Sequence, residues 1–449
     1  SNSFCTLLRA MSHSTHNAPC DPTDVSQFEE GPWRDLATFP APFNAEAANA
    51  SSLNRYNSAA SMSSVMGPND EPSLIAGRFR LDEAIGEGTW GEVMKGVDTA
   101  TKENIAAKAT RHGSAVAVES LVREFLAYCA LSHFRGRDLP CDGDGLQTSM
   151  HSSRSSDHEH AEDSRVLVTS VDAVVGVAQV LHFESTVPPQ GLDWSRPDGR
   201  IDPQSQTTAP SACLVQRMLG PSLEQLRLYC LGCFDKATVL MIADQAVGRL
   251  EHVHRSGMIH RDLKPENFLM GVGATAHVLH LIDFGLATTY RQGVSLFDLA
   301  TDSSSTLAAN APHVSESSNA GVAGTQRYAS PSAMKGHQQS RRDDLQALAY
   351  CLVFLATGCL PWQGMMETGK ANAVIEMKES TSPSELCSRC PYLIDFVRSV
   401  FALKFSETPS YGSLRYDLRK KMAEDRIRYD FAYCWAKKRL DEIHRGMGK

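Results

Sequence analysis

Polar and apolar residues alternate from Phe79 to Ile85 and again from Glu92 to Val97. Period two is the signature of half-buried strands. Glycines at 86, 88 and 91 separate the two runs, which predicts a glycine-capped hairpin. Asp98 to Asn104 reads as a turn into a third strand, Ile105 to Ala109. A helix is predicted from Ala115 to Leu131, where Val116, Leu121, Phe125 and Leu131 recur at helical spacing. Two further apolar strands are predicted, Val177 to Phe183 and Ala212 to Arg217, and from Lys236 onward the pattern is mainly helical. The expected class is therefore α+β, a small β-rich unit followed by a larger helical one.

Polar stretches punctuate this pattern. Residues 1–77 are rich in Ser, Asn, Ala and Pro with little periodicity and read as a disordered, Ser-rich leader open to phosphorylation. Insertions are expected near 135–165, 186–210 and 292–322, since loops of this length inside a domain are functional or unstructured. The folded domain is placed at 78–440, its two parts at 78–217 and 218–440, with a tail at 441–449. His158 and His160 in the first insertion read as solvated loop residues in preference to metal ligands.

Composition narrows the choice further. Of 449 residues, 42% are hydrophobic and 21% charged, ordinary for a protein with a full core. A net charge of -8 with no long basic run argues against a nucleic-acid partner. No apolar stretch reaches the roughly 18 residues a membrane helix requires. The first residues hold no convincing signal-peptide core. The chain is read as intracellular, in the cytoplasm and/or nucleus. Twelve cysteines in this length do not suggest a disulfide scaffold. Cys230/Cys233 and Cys387/Cys390 have split-zinc spacing, but their apolar context favours packed helices.

The candidate chemistry lies in His260-Arg261-Asp262-Leu263-Lys264-Pro265-Glu266-Asn267, followed by Asp283-Phe284-Gly285. A carboxylate, a cation and an amide share one loop, and a second carboxylate follows. Phosphoryl transfer from a nucleotide needs that set: an acid to orient the attacking hydroxyl, ligands for a metal on the phosphates, and positive charge near the moving group. Asp262 is the expected acceptor of the hydroxyl proton, acting mainly by orientation, with Lys264 reaching the transferring phosphate. Asn267 and Asp283 supply hard oxygens for Mg²⁺. Thr325, after Gly324, is placed beside the substrate hydroxyl. Upstream, Gly86-Glu87-Gly88-Thr89-Trp90-Gly91 fits a hairpin over nucleotide phosphates, because a strand follows it where a dinucleotide fold would open a helix. Lys108 ends a run of small apolar residues and can pair the α- and β-phosphates while a helix carboxylate holds it.

The chain resembles the casein kinase 1 family of Ser/Thr protein kinases, as a divergent member with long insertions. The resemblance rests on Leu219-Gly220-Pro221-Ser222-Leu223-Glu224, the 260–271 segment, Gly324-Thr325-Gln326-Arg327-Tyr328-Ala329-Ser330, Ser340-Arg341-Arg342-Asp343-Asp344-Leu345 and Leu360-Pro361-Trp362-Gln363-Gly364. Ala329-Ser330-Pro331-Ser332 stands where other kinases carry Ala-Pro-Glu, a departure this family shares. The resemblance implies a bilobal protein kinase fold, a small β-rich lobe and a larger mainly helical one. It also implies a monomeric, often constitutively active enzyme using ATP and Mg²⁺ on protein substrates with acidic or phosphorylated motifs. Ile85, Gly86, Gly88, Gly91, Val93, Lys108, Glu124, Gln216 and Met218 would then line the ATP site, with Gln216 in the gatekeeper position. Glu124 is preferred over Glu119 as partner of Lys108, because Arg123-Glu124-Phe125-Leu126 leads into Leu131-Ser132-His133 at family spacing. The other acid is expected on the exposed face. Arg327, with Lys370, matches the position that would recognise substrate phosphate. Arg217 departs from the acidic residue expected there. A pseudokinase scaffold working through tails and insertions is the alternative; it fits less well because Lys108, Asp262 and Asp283 are all present.

Overall fold

The computed structural model describes residues 74–88, 91–110, 114–134, 166–168, 176–186, 211–301, 311–368 and 371–447. Lys370, the pair His158 and His160, and most of the leader and the first two insertions lie outside these residues.

Seven antiparallel strands form the first part: β1 (Leu74–Ile75), β2 (Phe79–Gly88), β3 (Gly91–Asp98), β4 (Asn104–Thr110), β5 (Val166–Val168), β6 (Val180–Ser185) and β7 (Ala212–Arg217). They are ordered β1-β2-β3-β4-β7-β6-β5. The alternation seen in the sequence becomes a hairpin in which Gly88 faces Gly91. Gly91 has a packing reason for lacking a side chain, since a Cβ there would lie 2.0 Å from the Ala109 carbonyl oxygen. The sheet opens earlier than expected. Leu74 and Ile75 pair with Arg80 and Phe79, inside the segment read as leader. The strand expected at Val177–Phe183 is displaced to β6, because Gly176 turns at φ +78° and Val177 bridges to Leu281 instead.

Helix α1 (Ala115–Phe134) runs past its expected end at Leu131. Leu121, Phe125 and Leu131 are buried as their spacing predicts, but Val116 is 55% exposed. Val116 points outward from a first turn whose Ala117 and Val118 are buried. Phe125 stacks on Phe183 of β6 at 4.2 Å between ring centroids, which joins helix to sheet.

The second part is mainly helical. It begins with α2 (Leu223–Tyr229) and α3 (Lys236–Arg255), the latter capped by Asp235 accepting from Thr238 N–H at 2.8 Å. Short strands β8 (Met258–Ile259), β9 (Phe268–Met270), β10 (Leu279–Leu281) and β11 (Thr288–Thr289) pair as β9–β10 and β8–β11. Helices α4 (Leu296–Ala300), α5 (Pro331–Met334), α6 (Arg341–Thr357), α7 (Ala371–Ser380), α8 (Pro383–Leu386), α9 (Ile394–Phe401), α10 (Tyr411–Glu424) and α11 (Cys434–Met447) follow. Helix α6 is buried on nearly every side, as expected of a central core helix.

Part of the third polar insertion is ordered. Ser295 and Asp298 cap α4 reciprocally, and Leu296 and Ala300 are buried where α4 packs against α1. Four of the five residues are apolar, but so short a run is too brief for helical periodicity to reveal. No helix among the described residues is long and apolar enough to cross a membrane.

Candidate active site

The loop after β8 is held by a buried carboxylate that carries no reaction role. Asp344 accepts from His260 N–H at 2.8 Å, from Arg261 N–H at 2.9 Å and from His254 Nε2–H at 2.9 Å. Burial opposes ionisation of Asp344, yet His254 and these amides hold it below the ordinary carboxylate value. Arg261 consequently adopts φ +70°. That is an uncommon conformation for a residue with a Cβ, sustained here by Asp344 and by its own Nε donating to Leu286 O at 2.6 Å. His260 donates from Nε2 to Ile282 O at 3.0 Å and accepts at Nδ1 from Asp262 N–H at 3.2 Å, which sets its tautomer and joins the loop to the strand before Asp283.

Asp262 projects from that loop, 9% exposed. Its Oδ1 accepts from Thr325 N–H at 2.8 Å and Thr325 Oγ1–H at 2.7 Å, and its Oδ2 accepts from Lys264 Nζ at 2.7 Å. The backbone before Thr325 must pass very close. A Cβ on Gly324, whose φ is +98°, would sit 2.4 Å from Arg261 O. Glycine is thus required twice over, by conformation and by space.

Asn267 donates from Nδ2 to Asp262 O at 2.9 Å, while its own carbonyl accepts from Ile282 N–H at 3.0 Å. These bonds bring Asn267 beside Asp283, which takes a left-handed backbone conformation at φ +65°. Lys108 on β4 donates to Glu124 at 2.8 Å and to Asp283 at 2.8 Å. Burial alone would lower Lys108; the two carboxylates reverse this and hold it above the ordinary lysine value. Burial likewise opposes ionisation of Asp283, and Lys108 overrides it, keeping the carboxyl below its usual range.

The Lys108 partner left open by helix register is therefore Glu124. Glu119 is not the exposed acid expected of the other candidate, because it is buried, with 4% of its surface accessible. Helix α1 contacts both the sheet and α4, so an acid five residues from Glu124, on another face, is enclosed as well.

Among the nucleotide-site candidates, Gly86, Gly88, Gly91 and Val93 lie on the β2–β3 hairpin and Ile85 is 43% exposed beside them. Thr89 and Trp90 lie outside the described residues. Gln216 Nε2 and the Tyr128 hydroxyl are both buried here. Met218 N–H is taken by Asn104 O at 3.1 Å, whereas Leu219 N–H donates to no group among the described residues. The main chain of Leu219 is thus the available donor in this segment, and side-chain identity gave no signal for it. The next residues are fastened to β9 by Gly220 N–H to Met270 O at 2.8 Å and Met270 N–H to Pro221 O at 3.0 Å. Arg217 forms an exposed ion pair with Glu103 at 2.9 Å, a contact of little energetic weight.

Arg327 stacks over Phe354 at 5.6 Å. The two Cys-x-x-Cys pairs do not come together into one site, although Cys387 and Cys390 stay side by side. Cys230 lies 3.4 Å from Cys434, on another helix, while Cys387 and Cys390 are buried and Cys233 is exposed. Among the described residues no group of three or more His, Cys, Asp or Glu is disposed to hold a metal. The donor set that fits magnesium is smaller, the Asn267 amide oxygen and the Asp283 carboxylate, both hard oxygens on segments joined by the Ile282 N–H to Asn267 O bond. Two protein ligands suit an ion that keeps water and phosphate oxygens for its remaining positions.

The family model of the protein kinase domain matches residues 210–415, which include Asp262, Lys264, Asn267, Asp283 and Thr325, whereas Lys108 and Glu124 lie upstream of the match. This stretch, a little under half of the chain, is similar to a protein kinase domain, which supports a phosphotransferase activity.

Proposed function

We propose that this chain is an ATP-dependent serine/threonine protein kinase of casein kinase 1 type, bilobal in architecture, favouring acidic or phospho-primed sites. The observation that carries the reading is the double anchoring of Asp262. One carboxylate oxygen faces Thr325 and the other faces Lys264, so its orientation is set before a substrate arrives.

In this reading Asp262 receives the acceptor hydroxyl of a Ser or Thr side chain and aligns its oxygen for attack. Lys264, two residues on, sits where negative charge builds up on the transferring group. Thr325 presses the acceptor side against Asp262 and leaves room for a small aliphatic hydroxyl. Lys108, kept cationic by Glu124 and Asp283, orients the non-transferring phosphates. The β2–β3 hairpin covers them from above, with backbone amides near Gly86 and Gly88. Leu219 N–H meets the edge of the base. Asn267 and Asp283 would hold magnesium, which when bound neutralises phosphate charge and polarises the phosphoryl group. Arg327 takes an acidic or phosphorylated group on the substrate, since a guanidinium suits bidentate phosphate contact.

The test is phosphotransfer from Mg²⁺-ATP to casein and to a phospho-primed acidic peptide, with Asp262→Asn as control. Asp262→Asn is expected to lower kcat by roughly a hundredfold or more while leaving the fold intact, because it removes alignment of the nucleophile. Wild-type transfer no greater than that control would support the scaffold alternative.

A further inference from the structure

Lys378 on α7 is the least explained charge in the molecule. It is 3% exposed, and no carboxylate among the described residues pairs with it. Its ammonium donates to Gln326 O and Ala329 O, each at 2.7 Å. It also lies 5.0 Å from the Tyr350 ring and 4.9 Å from the Trp362 ring, and the two rings meet edge to face. Two π faces and two carbonyls thus replace a counter-ion.

The carbonyls it takes belong to one short segment, and neighbouring groups anchor the rest of that segment. Trp362 Nε1–H donates to Arg327 O at 2.9 Å, between the two Lys378 contacts. Ser330 Oγ–H donates to Asp343 at 2.6 Å while accepting from Ala333 N–H at the start of α5. At the other end, Thr325 is fixed to Asp262. The chain from Thr325 to Ser330 is therefore drawn inward by its carbonyls and pinned at both ends, the first of which is the reactive carboxylate. This chain has no glutamate after Pro331 to secure the segment by an ion pair.

We infer that Lys378 is a positioning residue for phosphate acceptors: its grip on the 326 and 329 carbonyls fixes the Thr325–Ser330 segment that presents a protein substrate to Asp262. An unpaired buried charge is expensive for a fold, and an apolar side chain of the same length would fill the same space without that cost. The lysine therefore contributes something that packing alone does not. Burial pushes it down to about 7, and the hydrogen bonds do not depend on full charge, since a neutral amine still has two N–H groups for two carbonyls.

The inference rests on the kinase reading above, and the experiment separates the two. Lys378→Met and Lys378→Gln are compared with wild type in nucleotide titrations and in steady-state phosphorylation of an acidic peptide. The expected result is a fall in peptide kcat/KM of roughly ten- to a hundredfold in the methionine variant, the scale of a small misplacement of reacting groups. The glutamine variant, which keeps an N–H₂ group on a shorter side chain, is expected to fall between methionine and wild type. Both should bind one nucleotide per chain with wild-type affinity and an unchanged KM for ATP. Loss of nucleotide stoichiometry in parallel with peptide turnover, or failure of both variants to fold, would make Lys378 a folding residue and overturn the inference. Unaltered peptide kinetics would overturn it too. A wild type that binds nucleotide but phosphorylates nothing refutes the kinase reading itself, and the inference with it.

Discussion

Lys108 lies 2.8 Å from Glu124 on one side and 2.8 Å from Asp283 on the other. One ammonium thus ties the sheet to helix α1 and to the loop after β10, three segments distant in the chain. Without it, two carboxylates in a partly buried cleft would repel each other and neither would stay in place.

Glu124→Gln is expected to raise the KM for ATP and reduce kcat/KM for ATP by roughly tenfold or more, since the lysine loses its charged anchor. Glu119→Gln, equally conservative and on another face of the helix, should leave the KM for ATP near wild type. Initial rates over a range of ATP concentrations decide it, and equal effects of the two substitutions would refute the assignment of the pair.

Helix α4 packs against α1, with Leu296 buried at 3% exposure. Leu296→Ala is expected to cost about 2–4 kcal/mol of stability, the range for removing a buried leucine side chain. It should also raise the KM for ATP, because α1 carries Glu124. Thermal melting paired with kinetics checks this; a loss of stability without change in nucleotide affinity would show that α4 does not support the lysine–glutamate pair.

Arg327→Ala should weaken phosphorylation of a phospho-primed peptide far more than of its unprimed counterpart, about tenfold or more on the primed one. A group meeting two phosphate oxygens is worth on the order of 1.5–3 kcal/mol. Equal losses on both peptides would remove Arg327 from phosphate recognition.

The buried Lys378 makes stability depend on pH with a definite sign. Its folded value, about 7, lies below the ordinary lysine value of 10.5, so the unfolded chain holds more protons between these limits. The resulting penalty is complete below pH 7 and is relieved as pH rises towards 10. Relative to Lys378→Met, whatever the offset between them, the wild type should therefore gain melting temperature between pH 7 and pH 9. A constant difference across that window would mean that the amine titrates normally.

Period-two alternation, three glycines and the order lysine, acidic loop, second acid made the hairpin, the β4 strand and the set Asp262, Lys264, Asn267 and Asp283 legible before any coordinates. Those features are local: strand patterning and turn chemistry are written in neighbouring residues, and the loop motif keeps its members within eight positions. What the chain order could not decide was every choice that depends on who covers whom. Glu124 and Glu119 differ only by five positions on one helix, and it took the helix's rotation against β4 to choose between them. Burial of Glu119, exposure of Val116, the α4 contact and the buried Lys378 beneath the Thr325–Ser330 segment follow from cover by segments far away in sequence. Such cover is the work of tertiary packing, because desolvation is set by all the atoms around a group and by none of its neighbours in the chain alone.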